Sequence, residues 1–218
     1  MSVDVKIAEA LATGRRVLGL SSMDLETLPA SIGELSALWE LFINSNRFMV
    51  LPAVICDMTW LRVLSLMNNQ LAELPDAFGQ LGALVHLDLE GNRFTRLPAS
   101  ICELIALESL DLSYNQLVSL PEALGQLVKL KSLYLNGNRF TTLPKALVHL
   151  ANLTWLWLEE NRLGAFMGCF GTPTLVSVRA RWAHYHALHA ALGHLPWELR
   201  EMIAGYEMGS CVHYHGRP

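Results

Sequence analysis

Charge is scarce in this chain of 218 residues: charged side chains make up 17% and the net charge is −4 at neutral pH. The longest block of basic residues is the pair Arg15-Arg16. Nucleic-acid binding draws its affinity from clustered cations, so nucleic acid is excluded as a partner class. Long apolar runs are missing as well, although 52% of residues are hydrophobic. No window reaches the roughly 18 apolar residues of a membrane span, so no membrane partner is expected. The opening stretch MSVDVKIAEALATGRR interrupts its apolar residues with Asp4, Lys6 and Glu9, which denies it the h-region of a secretory leader. A soluble cytoplasmic protein is predicted. Catalytic signatures are also wanting: no phosphate loop of the G-x-x-x-x-G-K type, no G-x-S-x-G elbow and no H-E-x-x-H. The expectation is a protein that is not an enzyme and carries no cofactor.

Asparagine recurs at Asn46, Asn69, Asn92, Asn115, Asn138 and Asn161, each 23 residues after the last. Around each runs the frame L-x-x-L-x-L-x-x-N-x-[LF]-x-x-L-P-x-x-[ILF]-x-x-L, as in LVHLDLEGNRFTRLPASICEL at 84–104. A seventh unit at 17–35, VLGLSSMDLETLPASIGEL, carries Met23 where the others carry asparagine, as an end repeat does. A buried asparagine left unpaired would cost about 1–3 kcal/mol, so a strictly repeated one inside an apolar frame predicts a partner in every copy. A second rhythm doubles the first. The residue two after each asparagine alternates as Phe48, Leu71, Phe94, Leu117, Phe140 and Leu163, so the copied unit spans a pair of repeats, 46 residues.

The frame resembles the leucine-rich repeat family, in its 23-residue, LP-containing intracellular form. The resemblance spans residues 16–166 and implies an α/β repeat solenoid: a curved parallel sheet on the concave side, an irregular or helical convex side, and helical caps at the ends. It further implies that each asparagine bonds backbone groups of its own turn and of the adjacent repeat. Three regions are expected, namely an N-terminal helical cap at 1–15, seven repeats at 16–166, and a C-terminal helical cap or tail at 167–218. In the cap, Val5, Ala8, Leu11 and Ala12 share one helical stripe, and Gly14 is placed to end the helix. Cys56 and Cys102 hold the same place two repeats apart; strands stacked about 4.8 Å from one another would set them nearly 10 Å apart, beyond disulfide reach.

Side chains alternate across a strand, so the residues between the frame's leucines face away from the core. Read across repeats they form columns whose identities the framework does not dictate. The middle column runs Gly19, Phe42, Ser65, Asp88, Asp111, Tyr134, Trp157; one neighbour runs Val17, Glu40, Val63, His86, Ser109, Ser132, Trp155, and the other Ser21, Asn44, Met67, Glu90, Ser113, Asn136, Glu159. Asp88, Glu90 and Asp111 form an acidic centre, with Tyr114, Tyr134, Trp155 and Trp157 on its C-terminal side and Phe42 on the other. Exposed aromatics beside polar groups are the composition of interface hot spots. A protein-protein interaction module or scaffold is predicted, whose partner brings basic residues and an apolar anchor to the concave face.

After Phe166 the frame stops. Helical spacing returns at Leu175, Val178, Trp182, Tyr185, Leu188 and Leu192, and a second helix is predicted from Pro196. The simplest reading is a pair of helices closing the stack. The order PTLVSVRAR at 173–181 followed by LPWEL at 195–199 is also similar to the region after the repeats in substrate receptors of cullin-type ubiquitin ligases. That resemblance implies an adaptor contact at Thr174, Leu175, Pro196 and Leu199, although Arg179 stands where a small residue is expected. Cys211, His213 and His215 suggest a metal-binding tail as a further alternative, but alternate residues of one extended segment chelate poorly and no metal ligand set is assigned.

Overall fold

The computed structural model describes residues 2–163. The expectations placed on the tail, namely the C-terminal cap, the adaptor contact at Thr174, Leu175, Pro196 and Leu199, and the metal-binding residues, lie outside the described residues. Within them, each repeat contributes one three-residue strand: β1 Val17–Gly19, β2 Glu40–Phe42, β3 Val63–Ser65, β4 His86–Asp88, β5 Ser109–Asp111, β6 Ser132–Tyr134 and β7 Trp155–Trp157. They form one open parallel sheet in sequence order. The register is the 23-residue period itself: Asp88 pairs with Asp111, and Asp111 with Tyr134.

After each strand the chain returns through a leucine–proline step into a short 3-10 turn, as at Asp76–Gln80, Ala99–Glu103 and Glu122–Gln126. Proline precedes every one of these turns, where its fixed φ is already suited and its missing N–H is not needed. Between sheet and turns lies a continuous core. Leu64, Leu87, Leu110 and Leu133 from the strands meet Ile55, Phe78, Ile101 and Leu124 from the turns, all essentially inaccessible. Phe48, Phe94 and Phe140 alternate with Leu71 and Leu117 along its spine, each fully buried. No repeat could bury its leucines alone, so stability comes from stacking.

The asparagines are satisfied as the frame requires. Asn115 Nδ2 donates to the carbonyls of Leu89, Leu112 and Ser113 at 2.9, 3.2 and 3.1 Å, and its Oδ1 accepts from Phe94 N at 3.0 Å. Asn69, Asn92 and Asn138 repeat the pattern. Met23 has no amide to offer, and its own N–H donates instead to Asn46 Oδ1. Cys56 and Cys102 are free and buried.

At the N-terminus, α1 spans Val3–Thr13, with Ser2 Oγ accepting from Val5 N and Gly14 ending it in the left-handed region at φ 60°. The face it buries is not the predicted one. Ile7 and Ala10 are buried and Val3 packs against the core, whereas Val5 and Leu11 are exposed, 52% and 39% accessible, as are Ala8 and Ala12. Two stripes of helical spacing overlap in this sequence, and docking chooses between them. Small Ala10 lets the helix approach, Ile7 fills the first repeat, and Lys6 Nζ reaches the Gly19 carbonyl at 3.0 Å.

Candidate functional site

Because the strands pair in register, the predicted columns exist as drawn. Leu18, Leu41, Leu64 and their counterparts point into the core, leaving the flanking residues on the other face of the sheet. Asp88 and Asp111 are direct neighbours on β4 and β5, and Glu90 follows β4. Carboxylate oxygens of the three lie within 4.8 Å of one another, each side chain half-buried. Burial, followed by the neighbouring carboxylates, raises the Glu90 pKa above its ordinary value. Asp111 is raised too, chiefly by burial, against the opposing pull of its hydrogen bond from Ser113 and with Asp88 adding repulsion.

The cluster is held in place by its own repeats. Ser65 Oγ donates to Asp88 Oδ2 at 2.7 Å, while Asp88 Oδ1 accepts from Glu90 N at 3.0 Å and Asp111 Oδ1 from Ser113 N at 2.8 Å. The carboxylates of Asp88 and Asp111 are therefore fixed in orientation, and no ion pair among the described residues involves any of the three. Three carboxylates offer oxygen donors of the kind a hard divalent cation takes, but fall short of the ~6–8 ligands calcium takes.

On the C-terminal side, Tyr134 and Trp157 stack with ring centroids 6.3 Å apart and an interplanar angle of 27°. Trp155 and Trp157 are 54% and 38% exposed. Tyr114 follows β5 at φ 51° and is 48% exposed. The residue before each asparagine takes positive φ throughout, and Gly91 and Gly137 fill that place two other times. At Gly137 the glycine also makes room: a Cβ there would meet Tyr114 Cδ1 at 2.5 Å.

Asp88, Glu90, Asp111, Tyr114, Tyr134, Trp155 and Trp157 thus gather on four adjacent strands and their turns. Phe42 does not join them. It is half-buried on β2, two strands from Asp88. Sequence reasoning missed the supporting hydroxyls of Ser65 and Ser113, the second of which donates to Asn136 Oδ1 at 2.7 Å. It also missed a stack in which the Arg16 and Arg62 guanidiniums lie 4.4 and 4.9 Å from the Trp39 ring centre. The signal for each was the same 23-residue spacing, applied to 65 and 88, 113 and 136, and 16, 39 and 62.

Seven in-register parallel strands, a proline-led return and an asparagine ladder define a repeat solenoid that presents one sheet face to solvent. The family model described as leucine rich repeat matches residues 40–94, 92–140 and 105–163, more than half of the chain, and the chain belongs to the leucine-rich repeat family. Among solved structures it is similar to a leucine-rich repeat protein of Leptospira interrogans, with 41% identity over 64% of this chain and 36% of that one, at a TM-score of 0.63. It is also similar to the leucine-rich repeat ectodomain of the receptor kinase SOBIR1 from Arabidopsis thaliana, with 30% identity over 56% of this chain and 69% of that one, at a TM-score of 0.49. The chain spans about a third of the Leptospira protein's length. No curated protein matches it. The family is in general one of binding modules rather than enzymes, and no helix among the described residues is long and apolar enough to cross a membrane.

Proposed function

We propose that this chain binds a protein partner on the exposed face of its sheet, and that the partner places a cationic side chain among Asp88, Glu90 and Asp111 and an apolar anchor against Tyr134, Trp155 and Trp157. The observation that carries this is the continuous column Asp88, Asp111, Tyr134, Trp157 on adjacent strands, with three carboxylates converging at one end and a stacked aromatic pair at the other. The raised pKa values of Glu90 and Asp111 support the cationic half, because a cluster with no counter-ion among the described residues gains most when one arrives. The aromatic half follows from exposure: large rings on rigid strands present contact area with little side-chain entropy to lose. Residues 1–15 serve as the N-terminal cap of the repeats.

Affinity capture with the intact chain, Asp88→Arg/Asp111→Arg and Trp157→Ala tests this reading. Partners retained by the intact chain and lost from both variants are expected. If both variants keep every partner, the binding face lies elsewhere. A Leu175→Ala arm checks the ligase-receptor alternative, which requires loss of an elongin-type adaptor from that variant alone.

A further inference from the structure

We infer that the segment seated on this face is a proline-rich stretch in the polyproline II conformation, with an arginine three residues from a proline, the arginine toward β4 and β5 and the proline over β6 and β7. This rests on the reading above and deepens it. The acidic centre sits between β4 and β5 and the stacked pair between β6 and β7, two strand spacings away, or about 10 Å. A partner must present its cation and its anchor on one side at that separation. Extended β chain alternates sides, so its same-side residues recur at about 7 and 13 Å and miss it. Polyproline II turns every three residues with a rise of about 3.1 Å, so residues i and i+3 fall on one side about 9 Å apart.

An α-helix also reaches about 10.5 Å between i and i+7, but the lining argues against it. From β4 to β6 the column of interest is flanked by polar side chains, His86, Ser109 and Ser132 on one side and Glu90, Ser113 and Asn136 on the other, and only at β7 does an aromatic neighbour, Trp155, widen the apolar surface. A helix buries a broad apolar stripe, which would lie on those polar columns. A polyproline ridge is narrow, docks on aromatic rings, and leaves its backbone carbonyls seeking donors. Asn136 can supply one: its Oδ1 is taken by Ser113 Oγ, which leaves Nδ2 to donate. Tyr114 adds a further exposed ring at the rim.

The test is calorimetric titration of the full chain with four synthetic peptides. One is proline-rich with Arg-x-x-Pro, one moves the arginine a residue closer, one is helical with Arg and Leu at i and i+7, and one is a flexible Gly/Ser chain with Arg and Leu. Expected is binding of the first at least about tenfold tighter than any other, and lost in Asp88→Asn/Asp111→Asn. Equal or tighter binding of the helical or flexible peptide overturns the inference, as does indifference to the arginine's position. If no peptide binds while protein capture still depends on Asp88 and Asp111, the polyproline assignment fails and the binding face stands. If capture is also indifferent to them, both fail.

Discussion

Replacing Asp111 with asparagine should make the protein more stable while removing its capacity to hold a cationic partner. The carboxylates of Asp88, Glu90 and Asp111 lie within 4.8 Å of one another. At that distance a like-charged pair repels by about 0.9 kcal/mol in a water-like medium and about 3.5 kcal/mol at an effective dielectric of 20. All three side chains are half-exposed, so the lower figure governs and salt reduces it further. Asp111→Asn relieves two such pairs, together about 2 kcal/mol before screening by salt. The amide oxygen can still accept from Ser113 N, but that bond loses its charge assistance, a cost of about 1 kcal/mol. The net expectation is a gain of about 0.5–1 kcal/mol at pH 7, measured by urea denaturation and shrinking in high salt. The pH dependence has a definite sign. A carboxyl whose folded pKa is raised stabilises the fold fully below its unfolded pKa and loses that contribution as pH rises through the folded value. The variant's advantage must therefore be largest at neutral pH and fade as the medium is acidified through the carboxylate range. A variant that is less stable than the parent at pH 7, or an advantage constant from neutral to acidic pH, would refute the electrostatic reasoning.

Tyr114→Gly should raise stability by about 1 kcal/mol, since the ring's residue holds φ 51° where Gly91 and Gly137 pay no steric penalty, while weakening partner binding. Gly137→Ala should destabilise in the Tyr114 background and less so in Tyr114→Gly, because its Cβ would collide with the Tyr114 ring; thermal melts of the four proteins measure the coupling. Asn115→Ala strands the buried Phe94 N–H and withdraws a donor from three carbonyls, so a loss of about 3 kcal/mol or more in urea is expected. Burial, with Glu103 beside it, pushes the Cys102 thiol up to about 11, and Cys56 is raised as well; alkylation at neutral pH should be slow in the native protein and rapid once it is unfolded.

The sheet was legible in the sequence because a strict period converts position into register: knowing that 88, 111, 134 and 157 share a column required only counting. The asparagine ladder was legible for the opposite reason, since a polar residue repeated inside an apolar frame has nowhere to go but to its neighbours' backbone. The face buried by α1 was not legible. Val3, Ile7 and Ala10 and the stripe through Val5, Ala8 and Leu11 have the same helical spacing, and only the shape of the first repeat distinguishes them. The 27° between the Tyr134 and Trp157 planes, and the hydroxyls that orient Asp88 and pair with Asn136, are matters of side-chain rotamer, which periodicity does not carry. The positive φ before each asparagine could have been read from Gly91 and Gly137, although Ser45, Asn68, Tyr114 and Glu160 hold it as well.

The alternating spine of phenylalanine and leucine sets the step by which such a chain can change its length. Excising 46 residues would rejoin Phe48 to a leucine and leave every core contact of the same kind as before, whereas excising 23 would press Phe48 against Phe94 and overfill the layer between them. Recombination between copies is thus free to lengthen or shorten the stack only in whole pairs. Each such event would redraw the columns on the open face while the interior scarcely registered it.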